Sequence, residues 1–181
     1  MEAPGRDEAI ATLREGWAAL GAQFARLSDD QLTAPATIGG GEWSAKDLMG
    51  HLAFWEEIAL RTLDEWRRGE PPWVVEVFGQ SGAGVDRVNA EDQAAHGADP
   101  LERARARAAR AREEVAAAIE GLTDGEWAAP VEVGPSAGPG GREPLAALLA
   151  GILGAAHRPF GHAFAHLGDL RAYADAISPA T

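Results

Sequence analysis

The sequence contains no cysteine, which excludes disulfide bonds, thiolate metal sites and a cysteine nucleophile. Any thiol chemistry would therefore use a thiol that a substrate or cosubstrate brings. Basic residues are also scarce: 16 lysines and arginines stand against 28 aspartates and glutamates, so the net charge is −12. Because phosphate contacts need clustered basic side chains, this charge predicts that neither nucleic acid nor an anionic membrane is a partner.

Long hydrophobic runs are absent as well. The longest one extends from Pro144 to Ala156 and is too short to span a bilayer. The N-terminus lacks the basic and apolar regions of a signal peptide, so we expect a cytoplasmic protein. With 181 residues, 46% of them hydrophobic, the chain predicts one folded domain over residues 1–181.

Apolar residues recur at intervals of three and four along most of the chain, which is typical of amphipathic helices. The apolar stripe of a first predicted helix ends at Leu27, a second helix begins after the N-cap Ser44, and a third begins after Asp99. A fourth is expected to run from Pro144 to about Ala174 with a kink near Pro159. The fold class predicted from this pattern is an all-α four-helix bundle.

The connection from Gly69 to Asp99 is longer than the roughly 2–8 residues usual between bundle helices. A link of this length can return along a helix of about 25 residues, or roughly 37 Å. It therefore predicts an up-down-down-up bundle with a long crossover between helices 2 and 3. A short helix is expected within the crossover around 86–95, and the apolar run 73–78 could pair weakly as a strand.

Three of the five histidines have suggestive positions. His162 and His166 are four residues apart, so both leave one face of the fourth helix, and His51 lies on the core side of the second. In the up-down-down-up topology the three rings lie at heights that agree within about one turn, whereas in a simple up-down-up-down bundle they cannot meet. Three neutral imidazoles predict a metal site with open positions, and the alternative is that these are ordinary half-buried histidines. His157 and His96 are excluded from the site.

The positions of four further residues predict supporting roles at this site. Asp47 and Asp169 are predicted to orient the rings of His51 and His166, and Trp55 and Tyr173 to wall a substrate pocket. Two other groups of charged residues are expected to face solvent; they are the adjacent Glu56 and Glu57, and the arginines of the segment 102–114.

Three segments resemble those of DinB-like proteins, most closely their ClbS/DfsB branch. Residues 42–55, E-W-S-A-K-D-L-M-G-H-L-A-F-W, are similar to the W-S-x-K-D-x-x-x-H-L-x-x-W segment of those proteins. Residues 85–90 resemble a D-x-x-N-A element, and residues 162–173 resemble an H-x-x-x-H-x-x-x-L/I-R-A-aromatic ending.

The resemblance implies an up-down-down-up bundle, often a homodimer, that holds a divalent metal such as Zn or Ni on three histidines. By position these are His51, His162 and His166. Relatives include metal-dependent transferases that use low-molecular-weight thiols, and proteins that protect their host from an electrophilic genotoxin. The function expected is a metal-dependent enzyme that acts on a small electrophilic metabolite by hydrolysis or thiol transfer, in detoxification or self-protection. The alternatives are a non-catalytic protein that binds and sequesters a small molecule, and a structural dimerisation bundle.

Overall fold

The computed structural model describes residues 4–80, 82–134, 141–155 and 158–177, so His157 lies outside the described residues. Over this part most of the chain is helical, with one two-stranded antiparallel sheet. The elements are α1 (Arg6–Phe24), α2 (Asp29–Thr33), α3 (Ala45–Arg67), α4 (Trp73–Gly79), α5 (Gly82–His96), α6 (Leu101–Glu120), α7 (Asp124–Trp127), β1 (Pro130–Glu132), β2 (Arg142–Pro144), α8 (Leu145–Ile152) and α9 (His162–Ile177).

The order of contacts along α3 and α6 shows that these two helices are parallel. Near the start of α3, Lys46 donates through Nζ to the backbone carbonyl of Asp99, just before α6, at 3.0 Å. Further along both helices, the guanidinium of Arg107 binds the carboxylate of Glu57. Residue numbers therefore rise in the same direction along α3 and α6, as the long crossover predicts.

Contacts of α1 settle the rest of the topology. Arg14 pairs with Glu120, whereas Asp29, just beyond α1, pairs with Arg105, so α1 and α6 are antiparallel. Between α1 and α9, residue numbers rise in the same direction, from Gly16 beside Ala163 to Arg26 paired with Asp175. These two helices are therefore parallel. The up-down-down-up topology predicted from the sequence is thus confirmed.

The crossover is more helical than the sequence indicated. The run 73–78 is not a strand but begins α4, in which Val74 and Val77 are buried three residues apart against the core. This spacing buries one helical face, which the short apolar run did not reveal. The helix predicted around 86–95 is confirmed in a longer form, α5, whose Val88 is buried. The crossover therefore covers the bundle as two packed helices.

The fourth bundle helix is broken rather than kinked. Residues 153–161 separate α8 from α9, and Pro159, which has no backbone N–H to donate, lies in this break. The backbone of Phe160 adopts a left-handed conformation, with φ of 56°, and its ring is buried against Trp127. The backbone N–H of His162 donates to the carbonyl of Leu153 at 3.0 Å. This bond ties the first residue of α9 to the end of α8.

Two expectations about charged residues are wrong. Glu56 is buried, with 3% of its surface exposed, and Arg107 is likewise buried. Arg107 binds Glu57 of α3 and Asp92 of α5, so it joins three helices rather than facing solvent. Since each of these residues belongs to a densely charged helix, only the packing of neighbouring helices distinguishes them from their exposed neighbours.

Candidate metal centre

The local structure of α3 places His51 near one end of the bundle. Ser44 is the N-cap: its Oγ accepts a hydrogen bond from the backbone N–H of Asp47, and the Asp47 carboxylate accepts from the backbone N–H of Ser44. This capping box fixes where the helix begins. His51 follows Ser44 by seven residues, or roughly 10 Å along the axis.

The other two histidines come from α9. His162 is its first residue, directly after the break, and His166 follows one turn later on the same face. Since α3 and α9 are antiparallel neighbours, His51 meets this pair from the opposite side. All three rings are partly buried.

The three side chains converge through their Nε2 atoms. Nε2 of His162 lies 3.1 Å from Nε2 of His51 and 3.2 Å from Nε2 of His166. The ring planes are inclined to one another by 75°, 80° and 61°, so each pair of rings meets edge to face and none is stacked. The indole of Trp43 packs against His51, with 4.7 Å between ring centroids.

Burial keeps these rings neutral. It lowers the pKa of His51 to about 2, helped by the charges that His162 and His166 would carry. Burial and the neighbouring His166 lower the pKa of His162 to about 3. The pKa of His166 is also lowered by burial, while Asp169 acts in the opposite direction. At neutral pH each ring therefore has one nitrogen with a free lone pair, which is the form that binds metal.

The donor set fits a divalent transition metal. Two nitrogens that bind one ion at about 2.0–2.1 Å lie about 2.8–3.4 Å apart for angles between right and tetrahedral. The two Nε2 separations of 3.1 and 3.2 Å fall in this range. Imidazole nitrogens suit zinc, nickel, copper and iron, whereas calcium and magnesium prefer oxygen ligands.

A cavity of about 350 Å³ opens beside the three histidines. It lies between α3, α5, the end of α8 and the start of α9, and its described lining contains no lysine, arginine, aspartate or glutamate. The lining residues are Trp43, His51, Trp55, Phe78, Val85, Asn89, Gly151, Ile152, Gly154, His162 and His166. A small, mostly apolar molecule in this cavity would lie against the histidine cluster.

The structure distributes the predicted supporting residues differently. Trp55 lines the cavity, but Tyr173 does not: it packs in a separate part of the core, and its hydroxyl donates to the carbonyl of Gln31 at 2.9 Å. Asp47 does not orient His51, because its carboxylate is used in the cap of α3. Asp169 acts on His166 through its charge, with no hydrogen bond between the two side chains in the described residues. Exposed His96 binds Asp99 away from the cluster.

Sequence reasoning missed most of the cavity wall. Trp43, Phe78 and Asn89 reach it from three different segments, the turn before α3 and the two crossover helices. Trp43 lies in the resembling segment 42–55 and Asn89 in the D-x-x-N-A element, but neither motif gives a position relative to the cavity. Only the folding of the crossover onto α3 brings these residues together.

Comparison with known sequences identifies the family. The sequence model of the DinB superfamily matches residues 12–169. The chain belongs to the DinB superfamily. No curated protein matches the sequence.

Solved structures share the fold of this DinB-superfamily chain. An uncharacterised protein from Escherichia coli UTI89 has a TM-score of 0.72 at 14% identity, covering 97% of this chain and 96% of the other. The colibactin self-resistance protein ClbS, in complex with a dsDNA, has a TM-score of 0.67 at 16% identity, covering 92% of this chain and 95% of the other.

The ClbS complex corrects one prediction made from the sequence. The net charge of −12 predicts that nucleic acid is not a partner, yet a protein of this fold was solved with double-stranded DNA. The exclusion is wrong because net charge sums over the whole molecule, whereas phosphate contacts depend on the local arrangement of basic side chains. Among the described residues, no helix is both long enough and apolar enough to cross a membrane.

Proposed function

We propose that this DinB-superfamily protein is a divalent-metal-dependent enzyme that acts on a small electrophilic metabolite, in a detoxification or self-protection role. The observation that carries the proposal is the convergence of three neutral Nε2 atoms beside an uncharged cavity. The likeness to the colibactin self-resistance protein supports the role in self-protection.

In this proposal His51, His162 and His166 hold the ion, which is zinc or nickel. When bound, the ion supplies Lewis-acid chemistry that makes water or a low-molecular-weight thiol a nucleophile at neutral pH. The protein has no cysteine, so a thiol would enter from solution.

The side chains of the cavity supply binding and exclusion of water. Trp43 packs against His51, Trp55 lies edge-on to His162, and both indoles present aromatic surface to a substrate. Glu56 and Glu57 do not line the cavity, since Glu56 binds Trp17 and Glu57 binds Arg107. A general base from either glutamate is therefore not part of the mechanism.

The test is metal content and turnover in protein purified without added metals. We expect about one zinc or nickel ion per chain by elemental analysis, and loss of the ion in His51→Ala, His162→Ala and His166→Ala. His96→Ala is the matched control, because His96 is an exposed histidine outside the cluster and its loss leaves metal content unchanged. Full activity in a metal-free preparation would contradict the proposal.

Turnover separates the enzyme from the alternative, a sequestering protein that uses the same cavity. An activated cyclopropane, incubated with and without added cysteine as the thiol, distinguishes thiol transfer from hydrolysis. Many equivalents consumed per chain indicate catalysis. Consumption that stops at one equivalent indicates sequestration.

The ClbS complex also makes duplex DNA a partner to test. Fluorescence anisotropy of a labelled duplex, measured over a series of salt concentrations, reports both affinity and the number of phosphate contacts. Binding whose logarithm falls steeply with the logarithm of salt concentration would indicate an electrostatic DNA interface. No change in anisotropy at low salt would count against it.

A further inference from the structure

The cavity contains a polar side chain whose orientation is fixed by a neighbour. Asn89 of α5 lines the cavity, and its Oδ1 accepts a hydrogen bond from Nε1–H of Trp55 at 3.0 Å. The indole nitrogen can only donate, so the asparagine must turn its oxygen toward Trp55. Its amide NH2 group therefore points away from this bond, and it makes no hydrogen bond to any described residue.

The surroundings of Asn89 specify what this NH2 group can bind. The described lining offers no lysine, arginine, aspartate or glutamate side chain. A charged ligand atom would lose its hydration here without a compensating charge from the side chains. A neutral acceptor loses less hydration free energy on entering the cavity, and one hydrogen bond to the amide compensates for that loss.

Trp55 links the amide to the histidine cluster. Its indole binds Asn89 on one side and lies edge-on to His162 on the other, with 6.3 Å between ring centroids. Phe78 lies nearly parallel to the same indole at 6.3 Å and extends the apolar wall. A ligand that lies along Trp55 thus contacts an aromatic surface, with a donor at one end and the histidines at the other.

We propose that Asn89 is a specificity-determining residue that donates a hydrogen bond to a carbonyl oxygen of an uncharged, mainly apolar substrate. The inference rests on the proposed function for the location of the substrate, and it names the substrate class: neutral ketones, esters or amides with an apolar body.

The test uses two probes of nearly the same shape. Acetophenone carries a carbonyl oxygen where α-methylstyrene carries a CH2 group. Asn89 is the only asparagine in the chain, so selective 15N-asparagine labelling gives a single side-chain NH2 group in the NMR spectrum. We expect acetophenone at millimolar concentration to shift these signals and to bind more tightly than α-methylstyrene, by about 2- to 12-fold for one hydrogen bond.

Asn89→Asp provides the mutational test. The carboxylate still accepts from Trp55 but offers no donor to the ligand at neutral pH, so we expect the preference for acetophenone to disappear. Gln80→Glu is the matched control, because it makes the same change from amide to carboxylate at an exposed position outside the cavity. It should leave the preference unchanged.

The measurements are made in chelator-treated protein, so their result does not depend on the metal site. Equal affinity for the two probes, or no binding of either, would overturn the proposal in the wild-type protein alone, even if Asn89→Asp failed to fold. An unchanged preference in folded Asn89→Asp would overturn it as well. Failure of the metal proposal would show separately, as absence of metal in untreated protein purified without added metals, while the chelator-treated protein still prefers acetophenone.

Discussion

At the scale of single residues, the pair Glu56 and Arg112 stands out inside the bundle. Oε1 of Glu56 accepts from the indole of Trp17 at 2.7 Å, and Nε of Arg112 lies 3.8 Å away, beyond hydrogen-bond distance. The other carboxylate oxygen, and Nε and Nη2 of Arg112, are buried without a hydrogen bond in the described part of the chain. Burial raises the pKa of Glu56 to about 8, against the opposing effects of Arg112 and Trp17. Folding therefore favours the protonated form of Glu56 at neutral pH.

This pKa gives a testable dependence of stability on pH. Between about pH 4.5 and 8 the folded protein holds a proton on Glu56 that the unfolded chain has lost, so this residue's contribution to the free energy of unfolding falls as pH rises. The slope is at most about 1.4 kcal/mol per pH unit. Glu56→Gln cannot titrate, so urea unfolding at pH 7 and 8.5 should show a smaller loss of stability than in the wild type.

Exposed Glu113→Gln is the control for this experiment and should keep the wild-type pH dependence. The explanation fails if Glu56→Gln and the wild type lose the same free energy of unfolding between the two pH values.

At the scale of secondary-structure elements, the contact between α1 and α9 positions two of the three histidines. A Cβ atom at Gly16 would lie 2.9 Å from Cβ of Ala163 and 3.1 Å from the ring of Phe164. The first distance is shorter than real Cβ contacts and the second is tighter than most of them, so the two helices approach closely because residue 16 has no side chain. Ala163 follows His162 directly, and the same contact therefore sets the position of the metal-site histidines.

Gly16→Ala should push α9 away from α1. We expect a loss of about 1–3 kcal/mol in the free energy of unfolding, as for other overpacked cores, together with weaker zinc binding. Gly21→Ala, in the same helix but with open space around its Cβ, should instead gain about 0.5–1 kcal/mol from helix propensity. Urea unfolding and zinc titration measure both effects. Equal stability changes in the two variants would show that the close approach is unimportant.

At the scale of the whole molecule, the candidate metal centre joins two elements that are far apart in the chain. His51 belongs to α3 and the other two histidines to α9, 111 residues from His51 to His162. Two side chains also connect α3 to its neighbours. Lys46 of α3 donates to the backbone at the end of the crossover, and Arg107 of α6 binds carboxylates of α3 and α5. An ion bound between α3 and α9 would stabilise the folded chain, because the unfolded chain cannot present the three ligands together.

Thermal unfolding with and without zinc tests this coupling. At zinc 100-fold above its dissociation constant we expect about 2.7 kcal/mol of stabilisation, which raises Tm by about 5–10 °C for a chain of this size. His162→Ala should show no such rise, whereas His96→Ala should respond like the wild type. A similar rise in His162→Ala would place the stabilising zinc elsewhere.

The homodimer implied by the family resemblance stays a prediction, and light scattering of the purified protein would measure its mass in solution.

The helical architecture and the candidate ligands follow from the amino-acid sequence. Three- and four-residue apolar spacing, the cap at Ser44 and the long link after Gly69 depend on local chemistry and chain length, so they could be read without coordinates. The four-residue spacing of His162 and His166 placed them on one face for the same reason.

Tertiary structure alone decided the rest. The break before α9, the burial of Glu56 and the place of Asn89 beside Trp55 depend on contacts between segments that are distant in sequence. Tyr173 shows the same limit, because its helical position allowed a pocket role and its hydrogen bond to Gln31 excludes it from the cavity wall. Helical periodicity gives the face on which a side chain lies, but only packing decides what that face meets.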